Sequence, residues 1–200
     1  MENGGRAMKK ETVFEITHQS ILETAKELFL TNGYKNTSTR DIAKAVNITQ
    51  PALYYHFSNK EVLFIEINKQ IGSQLKHEMG QIQDEPDSLE NKLIKCTNAL
   101  LNVYHRDIFS FIHQSAAEME QENKQQLFYI LNDYYLKPLQ AIFETSQTPL
   151  NTMVSSKKAA QFYLMSLSLL FSTIHQISTE KERSEQISEL MSMVLHGVLS

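Results

Sequence analysis

The chain has one cysteine, Cys96, so no disulfide can form within it, and a cytoplasmic setting is the natural expectation. Glycine (6) and proline (4) are sparse among 200 residues, which disfavours a fold built from many strands and tight turns. The longest apolar stretch, Phe162 to Ile177, is broken by Ser166, Ser168, Ser172, Thr173 and His175, so it is too short and too interrupted to span a bilayer, and no membrane partner is expected. The N-terminal MENGGRAMKK has no apolar core behind its charges, unlike a signal peptide.

Enzymatic signatures are missing as well. No glycine-rich phosphate loop exists, and Gly4-Gly5 precedes no strand. None of the seven histidines stands four residues from another with a carboxylate in zinc-site style, and Cys96 has no partner cysteine. A lone buried cysteine is more often a small hydrophobe than a nucleophile. No catalytic residue, metal or cofactor is therefore expected, and the chain does not read as an enzyme. The apolar share of 42% against 21% charged is that of an ordinary globular protein, which argues against long disorder.

Charge is unevenly placed. The net value is −4, but residues 1–60 carry eight Lys or Arg against six Asp or Glu, and the rest carries eleven against seventeen. A mildly positive head on an acidic body suits a protein that meets phosphates at one end.

What is present is helical period almost throughout. Helices are expected at about 11–31, 38–45, 50–57, 59–80, 87–105, 107–119, 122–146, 155–178 and 182–198. The first has the stripe Val13 or Phe14, Ile16, Ile21, Leu22, Ala25, Leu28 and Phe29, and stops at Asn32-Gly33, a left-handed terminator. The fourth repeats Leu63, Ile67, Ile71, Leu75 and Met79, the pattern of a long rod with one buried side. Pro138 should kink the seventh, because its ring removes the bond to the carbonyl of Tyr134.

The segment from Thr37 to Phe57 concentrates the chemistry. Ser38 and Asp41 have capping-box spacing, and Asn47 suits the left-handed turn. Thr49 caps the next helix, with Pro51 in its first turn. Ile42, Val46, Ile48, Leu53 and Phe57 supply a small core, and Ala43 allows close crossing. Two short helices on a tight turn make a helix-turn-helix. Arg40, Gln50, Ala52, Tyr54, Tyr55 and His56 are left outside, a set suited to base edges and phosphates. Ser58-Asn59-Lys60-Glu61 reads as a second capping box that places Lys60 at a helix N-terminus, ready for a phosphate.

The stretch Ile21 to Leu63, with Ala25, Phe29, Gly33-Tyr34, Thr37-Ser38, Ile42-Ala43, Leu53-Tyr54-Tyr55-His56-Phe57 and Lys60-Glu61-Val62-Leu63, resembles the DNA-binding domain of the tetracycline-repressor (TetR/AcrR) family. Asn47 departs from the glycine usual there. The resemblance implies an all-α chain in which a three-helix helix-turn-helix domain (11–60) is continuous with a helical bundle (61–200) for dimerisation and ligand binding. It also implies a homodimer on a palindromic double-stranded operator, and a repressor released by an as yet unidentified small-molecule effector. A DNA-binding protein of the same fold that senses nothing is the alternative. The expected DNA contacts are Ser38, Thr39, Arg40, Thr49, Gln50, Pro51, Ala52, Tyr54, Tyr55, His56 and Lys60.

In the body, aromatic and adaptable side chains gather before residue 146. Tyr104, Phe109, His113, Phe128, Tyr135 and Met165 are candidates to line an apolar pocket. The last two helices carry more apolar surface than one neighbour can bury. Leu167, Leu170, Ile174, Leu190, Met191, Val194 and Val198 are the expected dimer interface.

Overall fold

The computed structural model describes residues 2–104, 107–147, 149–173 and 179–198. Its helices are α1 (Glu2–Asn32), α2 (Thr39–Val46), α3 (Gln50–His56), α4 (Lys60–Asp84), α5 (Leu89–Val103), α6 (Ile108–Ala117), α7 (Gln121–Ile130), α8 (Lys137–Glu144), α9 (Ser156–Thr173) and α10 (Glu180–Val198). A π-helical segment, Leu131–Leu136, joins α7 to α8. The described residues include no β-strand, and none of their helices is long and apolar enough to cross a membrane. The all-α reading holds, with a three-helix head continuous with a helical body.

α1 ends where expected: Gly33 has φ 86°, and its N–H donates to the Phe29 carbonyl at 2.9 Å. The expected stripe holds only from Ile21 onward, since Ile21, Leu22, Ala25 and Phe29 are buried while Val13 and Ile16 are exposed. α2 and α3 have too few apolar residues to be stable alone and depend on α1. Ile42, Leu53 and Phe57 are buried in the core of the head, each contributing about 1.5–3 kcal/mol on the usual area scale. Asn47 is the one non-glycine residue at positive φ among those described (59°), as the turn required.

α4 carries the expected row Leu63, Ile67, Ile71, Leu75 and Met79, all buried, and runs to Asp84 without a break. It touches α1, α5, α7, the π-helical segment and α8, so one rod spans head and body.

Pro138 acts differently from the sequence expectation. Proline in the first turn of α8 follows a wider turn, in which the Lys137 N–H donates to the carbonyl of Asn132, five residues back. The widened ladder accommodates the missing N–H of Pro138. Tyr134 within this segment lies against Gly72 of α4: a Cβ on Gly72 would fall 2.8 Å from the Tyr134 Cβ.

The expected dimer interface requires correction. Leu167, Leu170, Leu190, Met191 and Val194 are buried within the single chain, where α9 and α10 pack on one another and on the body. They are core residues of the protomer. The exposed apolar side chains on these helices are instead Phe162, Met165 and Leu169 on α9 and Met193 on α10. Ile174 and the side chain of Val198 lie outside the described residues.

Candidate nucleic-acid interface

The local sequence builds the α2–turn–α3 unit bond by bond. Ser38 caps α2: its hydroxyl accepts from the Asp41 N–H at 3.2 Å, and the Asp41 carboxylate accepts from the Ser38 N–H at 3.1 Å and hydroxyl at 2.5 Å. These bonds hold the Asp41 carboxyl below its ordinary pKa. Thr49 caps α3 by accepting from the Ala52 N–H at 3.3 Å, with Pro51 in the first turn. Ser38 and Thr49 thereby fix helix ends with the same hydroxyls that were expected at DNA.

The outer face of α3 has a defined centre. The Gln50 amide nitrogen donates to the Thr39 hydroxyl at 3.0 Å and to the Tyr54 hydroxyl at 3.3 Å. Those two hydroxyls lie 3.2 Å from each other, which closes a triangle across α2 and α3. The half-buried Gln50 side chain is thus held across the two helices through its amide nitrogen. Tyr54 is 44% exposed and Tyr55 78% exposed, with Arg40 and Pro51 also exposed and Ala52 half-buried. Arg40, Gln50, Ala52, Tyr54 and Tyr55 can meet base edges and backbone, while the expected contact Thr39 is buried and holds Gln50 and Tyr54 in place.

Two of the expected contacts are placed elsewhere. His56 turns toward α1, stacked on Phe14 with ring centroids 4.3 Å apart, and His18 stacks on Phe57 at 4.4 Å. Partial burial, and then the nearby His18, lower the pKa of His56; Glu15 opposes them. His56 therefore packs α3 on α1, and the more exposed Tyr55 meets the same Phe14 edge-on at 5.8 Å. The Lys60 ammonium donates to the Tyr34 carbonyl at 2.9 Å and lies 4.0 Å from the centre of the Tyr34 ring. Burial lowers its pKa, against the pull of Glu118 and Glu61. The second capping box is also corrected, because Asn59, and not Ser58, caps α4 by accepting from the Val62 N–H at 2.8 Å.

Glu61, freed from that box, does something the sequence did not disclose. Its carboxylate accepts from the Glu120 N–H at 3.2 Å and from the Asn123 amide at 2.6 Å, which fastens the first turn of α4 to the start of α7. Beside it, Lys35 pairs with Glu118 at 3.5 Å. The α6–α7 connection is thus tied to both sides of the reading head. The only sequence signal was an acidic residue at the start of α4, indistinguishable from ordinary helix-dipole complementation.

The pocket candidates converge less than expected. Tyr104 and Tyr135 are fully buried, with hydroxyls 2.6 Å apart. His113 is exposed and packs its ring on the half-buried Phe128 at 5.3 Å. Met165 is 63% exposed on the outer side of α9, so it lines no interior cavity, and the side chain of Phe109 lies outside the described residues.

Residues 21–67 match the model for bacterial regulatory proteins of the tetR family. Over 47 residues the chain is 53% identical to the HTH-type transcriptional regulator QacR of Staphylococcus aureus, a match spanning 24% of this chain and 25% of that protein. The chain thus aligns with about a quarter of the length of this curated relative. Solved structures extend the likeness of fold to the body. FadR of Bacillus subtilis, a transcriptional regulator in complex with stearoyl-CoA, has a TM-score of 0.69 at 18% identity, covering 90% of this chain and 98% of that one. AibR, in complex with isovaleryl coenzyme A and operator DNA, has a TM-score of 0.64 at 24% identity, covering 90% and 97%.

Proposed function

We propose that the chain, whose residues 21–67 match the model for bacterial regulatory proteins of the tetR family, is a homodimeric repressor of that family, released from a palindromic operator by a small, mostly apolar effector. The observation that carries this reading is the α2–α3 unit, whose capped helices present a Thr39–Gln50–Tyr54 triangle beside exposed Tyr55 and Arg40. An enzyme or a structural bundle has no use for such a face.

The reading unit is 11–60, and the pairing and sensing unit is 61–200. With its amide nitrogen held by Thr39 and Tyr54, Gln50 has its carbonyl left to accept from an amino group in the major groove, adenine N6 or cytosine N4. The twin covers the exposed apolar residues Phe162, Met165, Leu169 and Met193. Two recognition helices then enter major grooves with half-site centres about one helical turn (~34 Å) or slightly more apart.

Release follows from α4. It runs unbroken from Lys60 at the head to Asp84 in the body, and Glu61 ties its first turn to α7. A ligand that favours one placement of the body over another shifts the head with it, with a coupling of about 1–3 kcal/mol, or roughly 5–150-fold in operator affinity. The acyl-CoA ligands of FadR and AibR support the idea of an effector with an apolar part. Selection of bound fragments from a genome tests the proposal. Recovery of an inverted repeat, bound by two chains and lost at high salt, is the expected result; an asymmetric site bound by one chain contradicts it.

A further inference from the structure

One polar side chain on the inner side of α4 is out of place. Asn68 is 1% exposed, and its amide nitrogen donates to the Phe64 carbonyl at 2.8 Å. Its side-chain oxygen is buried with no hydrogen-bond partner. Native interiors avoid such a group, and a leucine of nearly the same shape would fill the place without it.

The surroundings show where that oxygen lies. Phe64, Asn68 and Gly72 follow one another at four-residue spacing and share a face of α4. Phe64 meets the ring of Phe111 on α6, with centroids 5.5 Å apart, and Gly72 meets Tyr134 of the π-helical segment. Between these contacts, Phe111 meets Tyr104 at 6.4 Å, and Tyr104 shares a hydrogen bond with Tyr135. Asn68 therefore sits on α4 between Phe64, which leads through Phe111 to Tyr104, and Gly72, which packs on the segment that carries Tyr135.

That pair is also incomplete. Two hydroxyls bonded to each other use one of their two protons, and no acceptor for the other occurs among the described residues. Tyr163, buried just as deeply, differs in that its hydroxyl donates to the Leu93 carbonyl at 3.0 Å. One region of the interior thus holds a spare acceptor on Asn68 and a spare donor on Tyr104 or Tyr135. Among the described residues no buried Asp, Glu, Lys, Arg or His side chain stands there to balance an ion.

We infer that Asn68 and the Tyr104–Tyr135 hydroxyls form the polar anchor of the effector site, and that the group they take is uncharged, donating to the Asn68 oxygen and accepting from a tyrosine. A primary amide, a phenol or an alcohol on an apolar frame has this chemistry. The inference rests on the reading of the body as an effector-binding unit, and it names the class of group that reaches the core. Asn68 lies two turns from Lys60 on the same helix, so an occupant here bears directly on the element that carries the head.

The test uses the full chain and three probes of similar shape, 4-propylbenzamide, 4-propylbenzoate and propylbenzene, with thermal unfolding and equilibrium binding at pH 8. The amide should raise the melting temperature and the benzoate should not. Asn68→Leu should weaken amide binding at least tenfold while propylbenzene binds as before, and Tyr135→Phe, a milder change, should weaken the amide several-fold. Equal amide affinity in wild type and Asn68→Leu, a benzoate that binds as tightly as the amide, or no shift from any probe would overturn the inference. In the last case water satisfies the spare groups. Titrating the same probes against an operator complex separates the two readings. An amide that binds through Asn68 without lowering operator affinity supports the anchor and refutes effector release. An amide that releases DNA equally from wild type and Asn68→Leu does the reverse.

Discussion

Replacing Gly72 by alanine tests how tightly α4 is clamped to the body. The new Cβ would lie 2.8 Å from the Tyr134 Cβ and 3.0 Å from its Cγ, where ordinary contact begins at 3.4 Å. Neither atom is the end of a flexible side chain, so α4 and the π-helical segment must separate by about half an ångström. Overpacking of this kind costs about 1–3 kcal/mol. Against it stands the helix-propensity gain of Gly→Ala, about 0.8–1.0 kcal/mol. Gly72→Ala should therefore be neutral to destabilising, by up to about 2 kcal/mol. Gly80, two turns further along α4, supplies the control, because a Cβ there meets nothing within 4 Å. Gly80→Ala should stabilise by about 1 kcal/mol. Urea denaturation of the two variants side by side isolates the packing cost as the difference between them. If both substitutions stabilise equally, the close approach of α4 to Tyr134 does not exist.

Three further outcomes are expected. Leu169→Glu with Met193→Glu should leave a folded monomer with weak operator binding in sedimentation, whereas Leu170→Glu should unfold the chain, because it buries a charge in the protomer core. His56 has a folded pKa below its unfolded value of about 6.5, so the unfolded state takes up its proton first as pH falls. The stability this site contributes is present above about pH 6.5 and is lost below it; denaturant midpoints at pH 7.5 and 5.5 should show the drop, reduced in His56→Phe. Glu61→Ala should cost about 1–2 kcal/mol by removing the acceptor for Glu120 and Asn123, with faster hydrogen exchange at the Glu120 amide as the specific sign.

The reading head was legible because its features are local. A cap, a left-handed turn and a proline in a first turn each depend on a few neighbouring residues, and Ser38, Asn47, Thr49 and Pro51 all serve as their types suggested. Periodicity likewise identified the row from Leu63 to Met79. What escaped was long-range. His56 and Lys60 looked outward because the sequence does not show Phe14 or the Tyr34 carbonyl waiting for them. On α9, apolar residues nearly all round left period unable to separate the face packed inside the chain from the face left exposed. Leu167 and Leu170 went to the first, Met165 and Leu169 to the second. The pocket was least legible, since which aromatics converge depends on helix crossings that no spacing encodes.

The central claim is that the outer face of α3 reads sequence, and Gln50 is its centre. Fluorescence anisotropy of wild type and Gln50→Ala, on the selected operator and on a scrambled duplex at matched salt, tests this most directly. The account predicts a loss of about 1–3 kcal/mol on the operator, with random-sequence binding nearly unchanged. An equal loss on both duplexes, or none on either, would contradict it.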